Sequence, residues 1–382
     1  MPTMNRPKLC RVVTISHAFR ELIKGQMGYM NQHFEVVGIA NDLGTLSEVE
    51  AEESVRVIDV KMERKIALWQ DIKSLIALYR TFRRERPYIV HANTPKASLL
   101  SMVAGWMAGV PHRIYTVTGL RFETTTGIKR LILKNIERIT TLCATKVIPE
   151  GDGVRDTLRR ERITRKPLEK ILNGNINGID LTYFDRTAEV MSRAEALRRE
   201  GVFTFIFVGR MVKDKGVNEI VAAFDKLSRE RSDVRLLLVG RFEDDLDPLL
   251  PESRECIERN KQIEFAGYQT DVRPYLAASD VLLLPSYREG FPNVVIQAGA
   301  MGLPSIVSDI NGCNEIIIDQ KNGIIIPKQN GEALYNAMRR LASEPELTLS
   351  LAASARELVA TRYAQSEVWR ATLEMYNSLP EK

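Results

Sequence analysis

The stretch Ser286-Tyr287-Arg288-Glu289-Gly290-Phe291-Pro292-Asn293-Val294-Val295-Ile296-Gln297 decides how this chain is read. It follows an apolar run, Val281 to Pro285, of the kind that forms a strand buried in a parallel sheet. It leads into a helical pattern from Val294 to Met301. A turn at the carboxyl end of a parallel strand, with backbone amides opening a helix, is a place to hold an anion. Glu289 sits in that turn. A carboxylate beside an anion is unfavourable unless it meets hydroxyl groups of the ligand. The turn therefore points to a ligand that carries both phosphate and sugar.

Upstream, Val208-Gly209-Arg210-Met211-Val212-Lys213-Asp214-Lys215-Gly216 follows another apolar strand pattern, Phe203 to Val208. Gly209 permits a turn, and Arg210 and Lys215 place two cations beside a helix start. Cations at the positive end of a helix repel it unless an anion lies there. A diphosphate satisfies all three groups, with charge-assisted hydrogen bonds of about 1.5–3 kcal/mol each. Two other signals are weaker. Phe265-Ala266-Gly267-Tyr268 ends a strand, and Asn311-Gly312-Cys313-Asn314-Glu315 reads as a turn followed by a helix cap.

The rest of the chain alternates in the same way. Strand patterns at Leu9 to Ile15, Phe34 to Ile39, Val55 to Val60, Tyr88 to His91, Arg113 to Val117 and Lys146 to Ile148 are interleaved with helical ones. The helices are expected at Phe19 to Gln32, Leu68 to Arg86, from Pro95, and about Ile128 to Cys143. The pattern restarts after Asp180 and ends in a helical stretch, Ser366 to Leu379, with Val368, Trp369, Leu373 and Tyr376 on one face. Steady alternation predicts parallel sheets covered by helices on both faces. At 382 residues, two such doubly wound units with a cleft between them are expected.

Composition is that of a globular enzyme-sized chain, with 44% hydrophobic and 27% charged residues. The four cysteines, Cys10, Cys143, Cys256 and Cys313, form no C-x-x-C pair, which argues against metal or redox motifs and for a reducing cytoplasm. Met1 to Lys8 lacks the apolar core of a secretion signal. The most apolar long stretch, Ala97 to Val110, is 14 residues and too short to span a bilayer. The net charge of +5 is unevenly shared: residues 1–180 hold 29 basic and 19 acidic residues, the remainder 25 and 30. Either the basic half meets an anionic partner or these are ordinary solvated faces. Arg155, Arg159, Arg160, Arg162, Arg165, Lys166 and Lys170, with Lys129, Arg130, Lys134 and Arg138, are the densest basic group. Without interleaved aromatics this is a poor nucleic-acid surface, and an anionic membrane surface is the expected partner.

Taken together, these motifs resemble the retaining group 1 (family 4) nucleotide-sugar glycosyltransferases, and most closely the branch acting on polyprenyl-diphosphate-linked glycans. Further matching segments are Lys24-Gly25-Gln26, Thr94-Pro95-Lys96-Ala97, Gly119-Leu120-Arg121-Phe122-Glu123 and Gly174-Asn175…Gly178-Ile179-Asp180. The resemblance implies an α/β chain of the GT-B type: two Rossmann-like doubly wound domains facing a central cleft, with the C-terminal helix returning to the first. The acceptor domain would be 1–182 with 366–382, and the donor domain 183–365. It implies a UDP-sugar donor, an N-acetylhexosamine or related sugar, and a glycan or polyprenyl-diphosphate-linked acceptor in bacterial surface-polysaccharide or glycan assembly. The setting would be the inner face of the cytoplasmic membrane.

By the same resemblance Glu289, Arg210 and Lys215 carry the chemistry. Gly209, Gly290, Phe291, Pro292, Asn293, Val294 and Tyr268 complete the donor site, and Gly25, Gln26, His17 and Thr118 form the acceptor and phosphate loop. Two positions depart from the family. The second acid of its Glu-x7-Glu pattern is Gln297 here, which keeps an acceptor for ribose but loses the charge. The turn histidine of many relatives is Thr118, and a threonine is no general base unaided. Front-face retention, in which the leaving phosphate takes the acceptor's proton, needs none. No cofactor and no metal are expected. Asp245-Leu246-Asp247 matches the metal-binding Asp-x-Asp of another transferase fold only weakly. Two other readings stay open, a non-catalytic UDP-sugar-binding subunit and a nucleotide-sugar epimerase.

Overall fold

Two parallel six-stranded sheets organise the chain in this computed structural model, which describes residues 6–63, 67–245 and 247–381. The first sheet comprises β1 (Lys8–Ile15), β2 (Glu35–Asn41), β3 (Arg56–Asp59), β4 (Ile89–Ala92), β5 (His112–Val117) and β6 (Lys146–Pro149), in the order β3-β2-β1-β4-β5-β6. The second comprises β7 (Phe203–Val208), β8 (Val234–Val239), β9 (Ile263–Gly267), β10 (Val281–Leu284), β11 (Ser305–Ser308) and β12 (Gly323–Ile326), in the order β12-β11-β10-β7-β8-β9. The interior strands β8 and β10, VRLLLV and VLLL, are buried along their whole length. Burying each such Leu or Val side chain stabilises the fold by about 1.5–3 kcal/mol. In each sheet the order reverses once, between β1 and β4 and between β7 and β10. Ligands of doubly wound sheets bind beyond the strand ends at such a point.

The chain divides into two units, Met1–Gly178 with Gln365–Lys382, and Ile179–Ala364. The first boundary thus falls four residues before the expected 182. In the first unit side chains of β1 alternate between two cores. Cys10 and Val12 join the core beneath the helices Leu68–Glu85, Pro95–Ala108 and Gly127–Cys143. Leu9 and Val13 join the core that holds Phe19, Met27, Met30 and Tyr376. The C-terminal helix, Gln365–Asn377, therefore packs on the first sheet.

A buried polar cluster holds it there. Arg11 lies in register with His91 of the neighbouring strand, so both side chains emerge on one face. The Arg11 guanidinium donates to Tyr376 Oη at 2.6 Å, to Asn93 Oδ1 at 2.9 Å, and lies 2.8 Å from His91 Nδ1. Burial and the Arg11 charge hold His91 well below the usual imidazole range, so the ring is neutral. Its Nδ1 accepts and its Nε2–H is left to donate to Thr116 Oγ1 at 2.7 Å.

Two expectations are corrected. The single helix over 19–32 is two short ones, His17–Leu22 and Gln26–Met30, broken at Gly25. Gly25 has φ +80°, and a Cβ there would lie 2.6 Å from the Trp369 indole. Only glycine meets both conditions. The basic segment at Arg155 to Lys170 is not an uninterrupted free row. Arg155 pairs with Asp152 at 2.6 Å and Asp156 at 3.1 Å, Lys170 pairs with Asp152, and the Lys166 ammonium donates to the carbonyls of Thr141 and Leu142. Arg130 and Lys134 share Glu161 at 2.8 and 2.7 Å.

Candidate active site

The second unit gathers its candidate residues at the carboxyl ends of β7, β9 and β10. Gly209 and Arg210 follow β7, Tyr268 follows β9, and Glu289 to Pro292 lie between β10 and the helix Asn293–Ala300. That helix starts directly after Pro292, whose backbone is extended and lacks an N–H that the helix would leave unpaired. Phe291 is buried and packs edge-on against Tyr363, with ring centroids 5.6 Å apart.

Two loops are locked together by side chain and by backbone. Lys215 Nζ donates to Glu289 Oε1 at 2.6 Å. The Tyr287 amide donates to the Asp214 carbonyl at 2.8 Å, and Arg288 Nε donates to the Asp214 carboxylate at 3.0 Å. Gly216 opens the helix Val217–Glu230 with φ +72°, where a Cβ would meet the Pro285 carbonyl oxygen at 2.3 Å. The close approach of these backbones is therefore possible only for glycine, and it delivers Lys215 to Glu289. On the other side Gly312, φ +75°, backs the loop: a Cβ there would lie 2.4 Å from the Gly290 oxygen and 2.8 Å from Phe291 Cα. Glu315 steadies that turn by accepting the Gly312 amide at 3.4 Å. Cys313, beneath the site, has its thiol pushed well above the usual range by burial and by the nearby Glu289 charge.

Arg210 is paired with Glu243 at 2.8 Å. Asp247 Oδ2 accepts the Asp214 amide at 2.7 Å, so this acid caps the Lys213–Lys215 turn. Leu246, the middle residue of the Asp-x-Asp, lies outside the described residues. Gln297 is half-buried on the Asn293–Ala300 helix, one turn after Asn293, and its amide has no hydrogen bond among the described residues. Tyr268 is exposed, with Arg241 over its ring at 5.5 Å. The structure thus joins Lys215 to Glu289 directly and sets Arg210 on an acid that sequence reasoning did not single out. It also supplies two ties, Asp214 and Tyr287, for which no motif gave a signal.

In the first unit the expected loop is already satisfied from within. Glu53 is buried and accepts the backbone amides of Gly25 and Gly28. Burial raises its carboxyl above the usual range, and those two amides oppose the rise. Gln26 is buried and donates to the Ile176 carbonyl at 2.9 Å. Trp369 Nε1 donates to Asn177 Oδ1 at 2.8 Å and closes the same corner. Thr118 donates to the Asn93 carbonyl at 3.0 Å. His17 begins the helix after β1, its Nδ1 buried without a partner among the described residues. No hydrogen bond among the described residues joins His17, Thr118 and Gly25.

The family pattern described as "Glycosyl transferases group 1" matches residues 202–344, and "Glycosyl transferase 4-like domain" matches 28–174. The chain is 28% identical over 381 residues to the Staphylococcus aureus "Capsular polysaccharide biosynthesis glycosyltransferase CapM", covering 98% of each. It is 28% identical over 326 residues to an Escherichia coli "UDP-Gal:alpha-D-GlcNAc-diphosphoundecaprenol alpha-1,3-galactosyltransferase", covering 84% of this chain and 83% of the other. Among solved structures, Anabaena Alr3699/HepE in complex with UDP-glucose superposes with a TM-score of 0.81 at 18% identity, over 98% of this chain and 100% of that one. The sucrose-phosphate synthase of Thermosynechococcus elongatus gives 0.81 at 20% identity, over 97% and 98%. At these identities the structural likeness is one of fold.

Proposed function

We propose, for a chain that belongs to the group 1 glycosyltransferases of the GT-B fold, that it moves a sugar from a UDP-sugar to a polyprenyl-diphosphate-linked or glycan acceptor in bacterial surface-polysaccharide or glycan assembly. The sugar is an N-acetylhexosamine or a related one, and its anomeric configuration is retained. The observation that carries the reading is the meeting of Lys215 and Glu289 at 2.6 Å, between two loops that glycines bring together. A relative of the same fold that binds UDP-glucose, and another named for a diphosphoundecaprenol acceptor, support donor and acceptor class respectively.

In this mechanism the donor diphosphate takes the place of carboxylates. Arg210 leaves Glu243, and Lys215 shifts from Glu289 to phosphate oxygen. Glu289 turns to the sugar hydroxyls, and Gln297 accepts from the ribose. The bond from the anomeric carbon to the phosphate oxygen breaks while the bond to the acceptor oxygen forms on the same face. The acceptor's hydroxyl proton passes to the departing phosphate oxygen, so Thr118 need not act as a base. Arg210 and Lys215 stabilise the negative charge that develops on the leaving diphosphate, and no metal is required. Gly25, Gln26 and His17 border the acceptor side.

A lipid-linked acceptor sets the reaction at an anionic membrane surface, the inner face of the cytoplasmic membrane, with no role for nucleic acid. Among the described residues no helix is long and apolar enough to cross a membrane. The test is incubation with a panel of UDP-sugars and polyprenyl-diphosphate glycans. Acceptor-dependent UDP release with a lengthened lipid-linked glycan is expected. UDP-sugar turnover that ignores the acceptor would overturn the reading.

A further inference from the structure

The helix Gly127–Cys143 is turned with its polar side inward. Tyr115 donates to its Glu137 at 2.8 Å, Thr140 and Thr141 are buried, and Arg130 and Lys134 reach across to Glu161. Its apolar side chains look outward instead. Ile128 is 79% exposed, Leu131 56%, Ile132 51% and Leu142 77%, and with Ile139 they form one stripe along the helix. The next two helices of the same layer, Pro95–Ala108 beside it and Leu68–Glu85 packed on the far side of that one, continue the pattern. Pro95–Ala108 exposes Trp106 and Met107 and half-exposes Leu99 and Val103. Leu68–Glu85 exposes Leu68, Trp69, Ile72 and Ile76. Single exposed apolar residues are ordinary, but outward stripes on three adjacent helices mark a surface that something covers.

The charges on this layer say what covers it. Pro95–Ala108 contains no acidic residue, the one acid of Gly127–Cys143 is the buried Glu137, and the acids of Leu68–Glu85 are paired, Asp71 with Lys96 and Glu85 with Lys8. Lys129 on that helix, and Lys73 and Arg80 on Leu68–Glu85, are exposed. An apolar stripe with tryptophans and a basic fringe matches the boundary between acyl chains and anionic headgroups. A second copy of this chain docked face to face would instead set one basic fringe near the other.

We propose that this three-helix face rests the first unit in the surface of an anionic lipid bilayer, with the stripe Ile128, Leu131, Ile132, Ile139 and Leu142 entering the acyl boundary. The inference deepens the lipid-linked-acceptor reading and rests on it for why a membrane is needed. Its test uses neither donor nor acceptor, so the two fail separately. It also moves the contact from the partly paired Arg155 to Lys170 segment to an apolar surface, which changes the expected salt response: a purely electrostatic contact is lost at high salt, an inserted one only in part.

The experiment is flotation of the full chain with phosphatidylcholine vesicles and with vesicles that also contain phosphatidylglycerol. The parent is expected to float with the anionic vesicles and to stay partly bound at high salt. Ile128→Ser, Leu131→Ser and Ile132→Ser together should weaken binding by at least about tenfold, since buried apolar area drives such insertion. Far-UV circular dichroism and the cooperativity of urea unfolding should match the parent's and so certify the fold. Arg159→Gln with Arg165→Gln should leave binding within about twofold, since a salt-resistant contact depends little on single charges. Three results would overturn the proposal: the parent fails to float, the serine variant floats like the parent, or the parent is a dimer that the serine substitutions dissociate. The last would assign the face to a second copy of this chain.

Discussion

Lys215 Nζ and Glu289 Oε1 lie 2.6 Å apart, the lysine carried by the turn after β7 and the glutamate by the turn after β10. Both side chains are largely shielded, at 22% and 11% exposure, so removing one leaves the other a poorly solvated charge. On the proposed reading, the pair would hold both groups in place until a donor divides them, phosphate to the lysine and sugar to the acid. Lys215→Ala should weaken UDP binding by about 1.5–3 kcal/mol, the worth of a charge-assisted hydrogen bond. Glu289→Gln should lower turnover more than UDP affinity, because its charge matters most where positive charge develops on the sugar. Calorimetry with UDP alongside transfer rates separates the two. Equal losses of both quantities in both variants would contradict the division of roles.

Gln297 is one helical turn beyond Asn293 with an unengaged amide. On the proposed reading its carbonyl would serve one ribose hydroxyl where a carboxylate would serve two. Gln297→Glu should therefore hold or tighten UDP binding. Gln297→Leu should weaken it by about 1–3 kcal/mol, the cost of leaving a buried partner unsatisfied. Unchanged UDP affinity in the leucine variant would remove Gln297 from the site.

Gly312 offers a test that touches no charge. An added methyl would meet the Gly290 carbonyl oxygen at 2.4 Å, on a backbone with φ +75° that costs a non-glycine residue about 1–2 kcal/mol. Gly312→Ala should displace the Gly290–Phe291 turn and cut transfer by about tenfold or more, with far-UV circular dichroism unchanged. Normal transfer in the alanine variant would show that the turn does not depend on its backing.

Glu137 makes stability depend on pH. Burial raises its carboxyl from 4.5 to about 7, against the opposing hydrogen bond from Tyr115. The folded value lies above the unfolded one, so between pH 4.5 and about 7 the folded state holds more protons and stability falls as pH rises. Above that window the cost is complete, on the order of 3 kcal/mol. Glu137→Gln keeps an acceptor for the tyrosine and cannot ionise. It should match the parent in urea unfolding near pH 5 and exceed it near pH 8. A difference that is the same at both values would contradict the assignment.

Much of the architecture was legible because alternation of strand and helix is a local pattern. Most strand limits read from apolar runs fall within two residues of those observed, as at β7 and β10. What escaped was long-range. Trp369 dictates the break at Gly25 from the far end of the chain, and Glu53, not a ligand, occupies the Gly25 amide. A helix over about Ile128 to Cys143 was readable, but not which of its sides meets water, because that depends on Tyr115 and Glu161 elsewhere. In the second unit Arg210, Lys215 and Glu289 were readable as residue types in turns after strands. Glu243 as the partner of Arg210, Asp214 as the partner of Arg288 and Asp247 as the cap on the Asp214 amide were not, since acidic loop residues look alike until the backbone brings them in.

The proposed reaction is transfer from a UDP-sugar with retention, without metal, at the site of Arg210, Lys215 and Glu289. The most direct measurement is the anomeric configuration of the product, by nuclear magnetic resonance, from an α-linked UDP-sugar and a polyprenyl-diphosphate acceptor with excess chelator present. The predicted result is an α-linked product formed at the same rate with and without chelator, and lost in Lys215→Ala. A β-linked product, activity abolished by chelation and restored by manganese, or UDP binding with no product under any condition would each contradict it.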